Sequence, residues 1–300
     1  MLREFAVEPA LLGEYGEFRY LSEKFGVQKA RMIAEFPKKW RSMVYKSAVD
    51  FTPMQKKSLE AWLKNKKTFL VPSGRDCETL DDWLHSAELA HDRHPFHAIL
   101  ATTNPRGHEK VILTREIPLE NEILFNCPHE VFMPREPEAF ADISCLLLRH
   151  SRQIIFVDPH AHASNTRRGD RWGEALSAMF GCIHPEATIR YCAMDFSRGE
   201  EIDCRLNNLK ENWPQFIPKG KILEFVLLDK DDGMDTHNRF ILTERGGIKF
   251  AWGLDASKNS GKDVVNVMAE KTHASLLDEY DNLAGRSVLG RVDIIGLKVI

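Results

Sequence analysis

Three apolar segments in the second half of the chain, each closed by an aspartate, constrain the fold more than any other feature. They are IIFVD, YCAMD and FVLLD, which end at Asp158, Asp195 and Asp229. Short apolar runs bounded by polar residues are typical of buried strands, and helix-like segments such as RWGEALSAMFG lie between them. Strands that alternate with helices predict a mixed or mostly parallel sheet covered on both faces. We therefore expect an α/β fold whose functional site lies where the strands end.

The rest of this half extends the same pattern. The segment LNNLKENW is predicted as a helix, KDVVNVMAEKTHASLLDEYDNLA as one long helix, and RVDIIGLKVI as a closing strand. Between them we predict a hairpin, with a strand from Asn238 to Thr243, a Glu-Arg-Gly-Gly turn and a returning strand from Ile248 to Trp252. The segment PHEVFMPREPEAF carries three prolines and is predicted to be a connection.

The first half begins with helical material. Apolar residues between Leu21 and Phe36 recur at roughly helical spacing, and MQKKSLEAWLKN has the pattern of an amphipathic helix. From Lys67 onward a small α/β pattern follows, with strands in KTFLVPS, FHAILATT and KVILTREI and a helix in TLDDWLHSAELAHD. We therefore divide the chain into a mostly helical region of unclear role, 1–150, and an α/β domain, 151–300.

Composition narrows the class of protein. A chain of 300 residues with 43% hydrophobic and 28% charged residues is expected to fold around a large core. Because the net charge is only −3, a nucleic-acid partner would have to be met by a local basic patch. The segment KARMIAEFPKKWRSMVYKS offers one, unless its residues are simply the solvated and buried faces of the same elements. Its basic and aromatic residues are Lys29, Arg31, Lys38, Lys39, Arg41, Lys46, Phe36, Trp40 and Tyr45.

Cysteine usage and the N-terminus indicate where the protein resides. The six cysteines contain no CxxC pair and several lie in apolar stretches, which predicts reduced, buried thiols. The first residues, MLREFAVEPALLGEYG, have no apolar core typical of a secretion signal, and no apolar run approaches the length that spans a membrane. We expect a cytoplasmic protein without a membrane partner.

The segment THNRFILTERGG combines chemistry-bearing residues in one short strand. Alternation along a strand places His237, Arg239 and Ile241 on one face. The pattern His237-x-Arg239-x-x-x-x-Glu244, followed by two glycines and a second strand, resembles the HxKxxxxD motif of the phospholipase D superfamily. Arginine replaces the lysine and glutamate replaces the aspartate. The resemblance covers roughly residues 150 to 300 and implies a phospholipase D-like mixed sheet flanked by helices.

This resemblance implies a metal-independent phosphodiesterase without a cofactor. His237 would attack the phosphorus to form a phosphohistidine, Arg239 would hold the non-bridging oxygens, and Glu244 would orient a histidine or its hairpin. A second histidine would protonate the leaving oxygen. It would come from a second copy of the chain in a homodimer, or from His108 in HEKVILTRE, which resembles HNRFILTER. Nucleic acid is favoured over lipid as the substrate, because we see no amphipathic membrane-binding helix.

Several further residues are expected to border the substrate groove. Asp158 and His160 follow a predicted strand, and Arg167 and Arg168 lie in the loop SNTRRGDR, where they would hold phosphates or simply be solvated. Trp252 stands where the family usually has a small hydroxyl residue. Its bulk would narrow the pocket, so a catalytically degenerate binding or scaffold protein is the alternative to an enzyme.

A metal site is a third hypothesis. In DPHAH, Asp158, His160 and His162 resemble the His-x-His pair of amidohydrolases, and alternate residues at a strand end point the same way. However, no ordered series of further ligands follows, and polar residues at a strand-to-loop junction are an adequate explanation. The histidines of HDRHPFH are explained by the favourable placement of cations at a helix C-terminus.

Overall fold

The protein consists of two compact units, residues 1–129 and 130–300. The computed structural model describes residues 1–77, 82–116, 123–163, 170–196, 201–230, 239–257 and 261–299, apart from the Lys66 side chain. None of the described helices is both long enough and apolar enough to cross a membrane. The division falls before the 150/151 boundary expected from the sequence, because residues 130–149 supply a strand and a helix to the second unit.

The first unit is a parallel α/β layer structure. In its described residues, five strands lie in the order β3-β2-β1-β4-β5, all parallel, so the strand order reverses between β1 and β4. Its elements are β1 (Arg3–Val7), α1 (Tyr15–Lys24), β2 (Arg31–Glu35), α2 (Trp40–Ser47), α3 (Pro53–Lys64), β3 (Leu70–Pro72), α4 (Trp83–Arg93), β4 (Ala98–Ala101) and β5 (Val111–Leu113).

The helices predicted within MQKKSLEAWLKN and TLDDWLHSAELAHD and the three predicted strands of this unit are present. The helical spacing between Leu21 and Phe36 is wrong beyond Lys24, where α1 ends, and β1 and β2 have no predicted counterpart. The spacing of the apolar residues in RMIAE predicts a helix, yet this segment is β2 and is buried between β1 and β3. A short, fully buried strand has no alternation, so its pattern cannot be separated from that of a helix.

Two of the three aromatic residues in the basic patch predicted in the first unit are not available for stacking on bases, whereas the third, Tyr45, is 46% exposed. Phe36 and Trp40 are fully buried, and the Trp40 Nε1 donates to the Val7 carbonyl at 2.6 Å. Arg31 Nε donates to the Phe125 carbonyl at 2.7 Å, and Arg41 pairs with Glu35 at 2.8 Å. Phe36 and Trp40 therefore belong to the core, whereas binding of nucleic acid by the basic side chains and Tyr45 stays a prediction.

The second unit is a mixed sheet flanked by helices, as predicted. In its described residues, eight strands lie in the order β13-β9-β8-β7-β10-β11-β12-β6, with β7, β8 and β9 parallel and the other pairs antiparallel. Its elements are β6 (Glu130–Pro134), α5 (Pro137–Arg149), β7 (Gln153–Val157), α6 (Arg171–Phe180), β8 (Thr188–Met194), α7 (Ile202–Asn212), β9 (Ile222–Leu228), β10 (Phe240–Thr243), β11 (Gly246–Phe250), β12 (Lys262–Val267), α8 (Glu270–Asn282) and β13 (Val288–Ile295).

Two segments of this unit differ from prediction. The segment taken as one long helix is β12 followed by α8, because the β-branched run in KDVVNV favours a strand. The proline-rich segment taken as a connection contains β6, which is an edge strand and therefore tolerates Pro134 at its end. The hairpin is confirmed, with a shorter turn in which Thr243 pairs with Gly246.

The core of the second unit lies on both faces of the sheet. On one face, side chains of β7 to β10 pack against α8, with Tyr280 fully buried among them. On the other face, Phe156, Tyr191 and Phe225 stack across three strands, with ring centroids 5.7 and 5.8 Å apart. Because β7, β8 and β9 are parallel, the residues that follow them meet at the carboxyl ends of these strands. We call this end of the sheet its carboxyl-terminal edge, which is distinct from an edge strand such as β6. The segment that enters β10 arrives at that same edge, since β10 is antiparallel to β7.

Candidate functional site

Arg239 lies at this edge and is buried. Its neighbour Phe240 pairs with Val157, so Arg239 stands opposite Asp158, one position beyond the registered ladder and on the same face of the sheet. Its carbonyl accepts a hydrogen bond from the Phe250 N–H at 3.0 Å, which fixes the backbone. The residue is only 8% exposed, and its Nε has no hydrogen-bond partner within the part of the chain that the structure describes.

Asp158 is fully engaged in structure. Its Oδ1 accepts the His160 N–H at 3.0 Å, and its Oδ2 accepts the Trp172 Nε1–H at 3.2 Å and the Leu254 N–H at 2.7 Å. These donors come from the loop after β7, from α6 and from the loop after β11. A carboxylate with three donors in a buried position is a rigid anchor. Asp158 therefore holds together the three segments that surround Arg239.

A second carboxylate, Asp255, interacts with two further arginines close to Asp158. It pairs with Arg135 and lies 3.6 Å from the Arg171 guanidinium. Burial raises the pKa of Asp255, and the two arginines oppose this effect. The close fit requires glycine at position 253, since an added Cβ there would lie 2.7 Å from the Asp255 Oδ1 and 3.2 Å from the Asp158 Oδ2.

Tyr191, which the sequence analysis did not single out, brings a hydroxyl to the same buried region. Burial, reinforced by the charges of Asp158 and Asp255, raises the pKa of this hydroxyl. Its Oη has no hydrogen-bond partner among the described residues. In the sequence Tyr191 is one member of an apolar strand, and nothing local distinguishes it from a core aromatic.

Trp252 lies in the loop after β11, and its side chain is largely exposed. Its backbone N–H and that of Ala251 donate to the buried Asp263 Oδ1 at 3.1 and 3.0 Å, while its side chain is 65% exposed. Burial raises the pKa of Asp263, and the backbone donors act in the opposite direction. The tryptophan is thus presented largely to solvent within the described residues, and the narrowing of the pocket expected from its bulk stays a prediction.

Glu244 lies at the opposite end of β10 from Arg239. Its two carboxylate oxygens accept the Arg152 and Gln153 backbone N–H groups at 2.9 and 3.1 Å. The four residues of β10 lie between Arg239 and Glu244, so that the two residues are about 16 Å apart along the strand. Glu244 fastens the hairpin to the start of β7, and it does not reach the edge that carries Arg239.

His160 and His162 follow β7 as exposed rings. His160 stacks on Phe196, with centroids 4.7 Å apart and planes at 24°, and His162 lies on Trp172 at 4.5 Å. The described residues contain no cluster of three or more histidine, cysteine, aspartate or glutamate side chains arranged to hold a metal ion. With the oxygens of Asp158 bonded to N–H donors, a metal at Asp158, His160 and His162 is the weakest of the three hypotheses.

Three predicted site residues, His237, Arg167 and Arg168, lie outside the described residues. The other proposed histidine, His108, lies in the first unit directly before β5. Its Nδ1 accepts the Lys110 N–H at 3.1 Å, and its ring meets that of His91 edge to face at 5.3 Å. In its own unit His108 is thus a partly buried residue with local partners.

Comparisons with known proteins leave the family open. No family model matches the chain, and no curated protein matches it. Among solved structures, TrmBL2, an archaeal chromatin protein described as showing a novel mode of DNA binding, is 14% identical over 90% of this chain and 79% of its own, with a TM-score of 0.28. Polyphosphate kinase from Porphyromonas gingivalis is 14% identical over 59% of this chain and 31% of its own, with a TM-score of 0.31. Similarity at these scores carries no argument on function.

Proposed function

We propose that the second unit binds a phosphodiester where β7 ends and β10 begins, and hydrolyses it with the His237 imidazole as nucleophile. The Arg239 guanidinium would hold the non-bridging oxygens. Attack forms a bond between the imidazole nitrogen and phosphorus and breaks the bond to the leaving oxygen, which takes a proton from a second imidazole. Water then cleaves the phosphohistidine. Imidazole and guanidinium supply the nucleophile and the counter-charge.

The observation that carries this proposal is the buried Arg239 with its unpartnered Nε. A buried polar group without a partner costs about 1–3 kcal/mol, and more if it is charged. A phosphate ester would supply both the acceptors and the negative charge, in the bidentate geometry that a guanidinium favours. The three donors that the opposing Asp158 accepts come from His160, Trp172 and Leu254, and not from Arg239.

A non-catalytic phosphate-ester binding module is the second candidate. It is favoured by Glu244, whose oxygens serve the backbone at the far end of β10. Of the motif, only His237 and Arg239 remain for chemistry. Such a module would bind the same substrates at the same edge and release them uncleaved.

The test incubates the full chain with single-stranded DNA, duplex DNA, RNA and bis-p-nitrophenyl phosphate, each with and without EDTA. We expect chelator-resistant cleavage that falls by more than about a thousandfold in His237→Ala. Arg239→Gln should lower kcat by about 10²–10³-fold, since it removes a charged donor to the transition state. Matched controls are His94→Ala and Arg152→Gln, two exposed residues of the same types, which should leave the rate unchanged.

Cleavage that persists in His237→Ala, or that EDTA abolishes, contradicts the proposal. Binding without cleavage by the unmodified chain, lost in Arg239→Gln, supports the binding module. If a second copy of the chain supplies the acid, the specific activity will rise with protein concentration through the dimerisation range, and light scattering will report the dimer.

A further inference from the structure

A cleft lined by aromatic rings opens beside the proposed phosphate site, at the ends of β7 and β8. Its volume is about 320 Å³, near the lower end of the range for small-molecule sites. Its walls come from the loop after β7, the segment after β8, α6 and α7. We refer to it as the aromatic cleft, with the lining residues His160, His162, Trp172, Phe196, Arg205 and Asn208.

The aromatic cleft exposes two flat rings, each of which packs against a second aromatic ring. The exposed His160 ring lies nearly parallel to the partly buried Phe196, and the exposed His162 ring lies against the buried Trp172. The Trp172 indole is itself fixed by its hydrogen bond to Asp158. Rings supported in this way lose little conformational freedom when another flat ring stacks on them.

The charge of the cleft suits a neutral ligand group. Among the described residues that line the cleft, Arg205 carries a guanidinium group. It donates from Nη1 to Asp195 and from Nη2 to the Ala161 carbonyl, each at 3.0 Å. That arginine is therefore already neutralised by a carboxylate and does not attract a phosphate strongly. Asn208 adds an amide to the wall, with its Oδ1 bonded to the Asn212 Nδ2 at 2.5 Å. An aromatic floor with polar groups at its margin matches the faces and edges of a nucleobase.

We propose that the aromatic cleft binds an unstacked nucleobase of the substrate, so that the substrate is single-stranded nucleic acid. This inference rests on the proposed function, because it takes the phosphate to lie at Arg239. Asp158 connects the two places: it accepts the Trp172 indole N–H and stands opposite Arg239 in the sheet. A base in a duplex is paired and stacked on its neighbours, so it would have to leave the helix to enter the cleft.

The test measures binding by the full-length His237→Ala chain, so that cleavage does not interfere. Fluorescence anisotropy would compare a short single-stranded oligonucleotide with an abasic oligonucleotide of the same length and charge. We expect the abasic strand to bind roughly 5–100-fold more weakly, the effect of losing one stacked base. His160→Ala and His162→Ala should weaken binding of the intact strand by a similar factor and leave binding of the abasic strand unchanged. The aromatic replacement His162→Tyr should restore much of the affinity.

The outcomes separate this inference from the proposed function. If the wild-type chain cleaves bis-p-nitrophenyl phosphate but binds intact and abasic strands equally, the cleft proposal fails and the hydrolase stands. If the histidine variants weaken the binding of the intact and the abasic strand equally, the cleft proposal is also overturned. Such a result would show a general effect of the substitutions on the fold or the charge. If base-dependent binding is found and no phosphodiester is cleaved, the base site stands and the chain is a binding module.

Discussion

At the scale of single residues, Arg239 and Asp158 face each other across two strands but differ in how their polar atoms are satisfied. The carboxylate of Asp158 has three N–H donors, whereas the Nε of Arg239 has no partner in the described ranges. An arginine kept buried at such a cost is unusual in a purely structural role. This difference indicates a scaffolding role for Asp158, and it is the observation that supports the proposed contact between Arg239 and a phosphate ester.

The thiols also depart from the expectation that all six are buried. Only Cys127 and Cys192 are buried, while Cys204 is exposed. Cys145 and Cys182, brought together by α5 and the end of α6, form a hydrogen-bonded pair. The bond with Cys182, together with the Arg149 guanidinium 3.2 Å from its Sγ, lowers the pKa of Cys145 to about 6.

We therefore expect Cys145 to be the thiol that reacts first with iodoacetamide at neutral pH. At pH 7 it is mostly thiolate, so its alkylation should be about tenfold faster than that of the exposed Cys204, with half-maximal rate near pH 6. Peptide mass spectrometry after timed labelling measures this. Arg149→Gln should slow the labelling and move the midpoint upward, and labelling of Cys145 only above pH 8 would contradict it.

At the scale of elements, the hairpin of β10 and β11 is held at its turn as well as along its ladder. Glu244 fastens the turn to β7, and the His273 Nε2 hydrogen-bonds the Thr243 carbonyl at 2.8 Å from α8. Position 247 is glycine, and a Cβ there would lie 2.5 Å from the Sδ of Met268, just before α8, and 3.1 Å from the Cδ2 of His273 within the helix. The two glycines after Glu244 are thus explained in part by packing of α8.

This contact gives a prediction on pH. Burial lowers the pKa of His273, so the folded state favours the neutral ring and the unfolded state binds a proton more readily. The stabilising contribution is therefore complete above the ordinary histidine pKa of about 6.5 and is lost as the pH falls through the lower folded value. Thermal unfolding of wild type and His273→Gln should be compared between pH 7.5 and 5.

In the His273→Gln variant, the side-chain amide can donate a hydrogen bond to the same Thr243 carbonyl. Unlike imidazole, the amide does not take up a proton in this pH range. The melting temperature of the wild type should fall relative to that of the variant as the pH is lowered, with the difference growing below about 6.5. Parallel curves over the whole range would show that His273 is not responsible for any acid sensitivity.

At the scale of the whole molecule, each unit has a sheet of its own. The first is parallel in every described pair, and the second is mixed, with the candidate site and the aromatic cleft both inside residues 130–300. The edge strand β6 belongs to the second sheet through its ladder with β12. A unit of this size with its own core can fold alone.

We accordingly expect the fragment 130–300 to unfold cooperatively and to bind single-stranded DNA with an affinity within a few-fold of that of the full chain. A fragment that begins at 151 should be much less stable, since it lacks β6 and α5, which carry the fully buried Phe140 and Leu148. Circular dichroism melts and anisotropy titrations provide the measurements. Equal stability of the two fragments would contradict the boundary at 129/130.

The features that the sequence predicts correctly are those that depend on residues close together in the chain. The strands before Asp158, Asp195 and Asp229, the hairpin and most helices were predictable, because apolar periodicity and turn residues are local properties. The errors at β2 and at β12 arose where short apolar or β-branched runs fit two periods equally well. The contacts of the site were beyond prediction, since Trp172 and Leu254 reach Asp158 from distant segments.

Apolar periodicity and strand-end residues alone predict an α/β protein with polar residues gathered where its strands end. Which of those polar residues serve the fold became visible only in the folded chain. Glu244 and Asp158 look equally suited to chemistry in the sequence, yet both accept backbone N–H groups from other segments. The reason is that satisfying a buried carboxylate depends on strand register and loop packing, which bring together residues that are far apart in the chain.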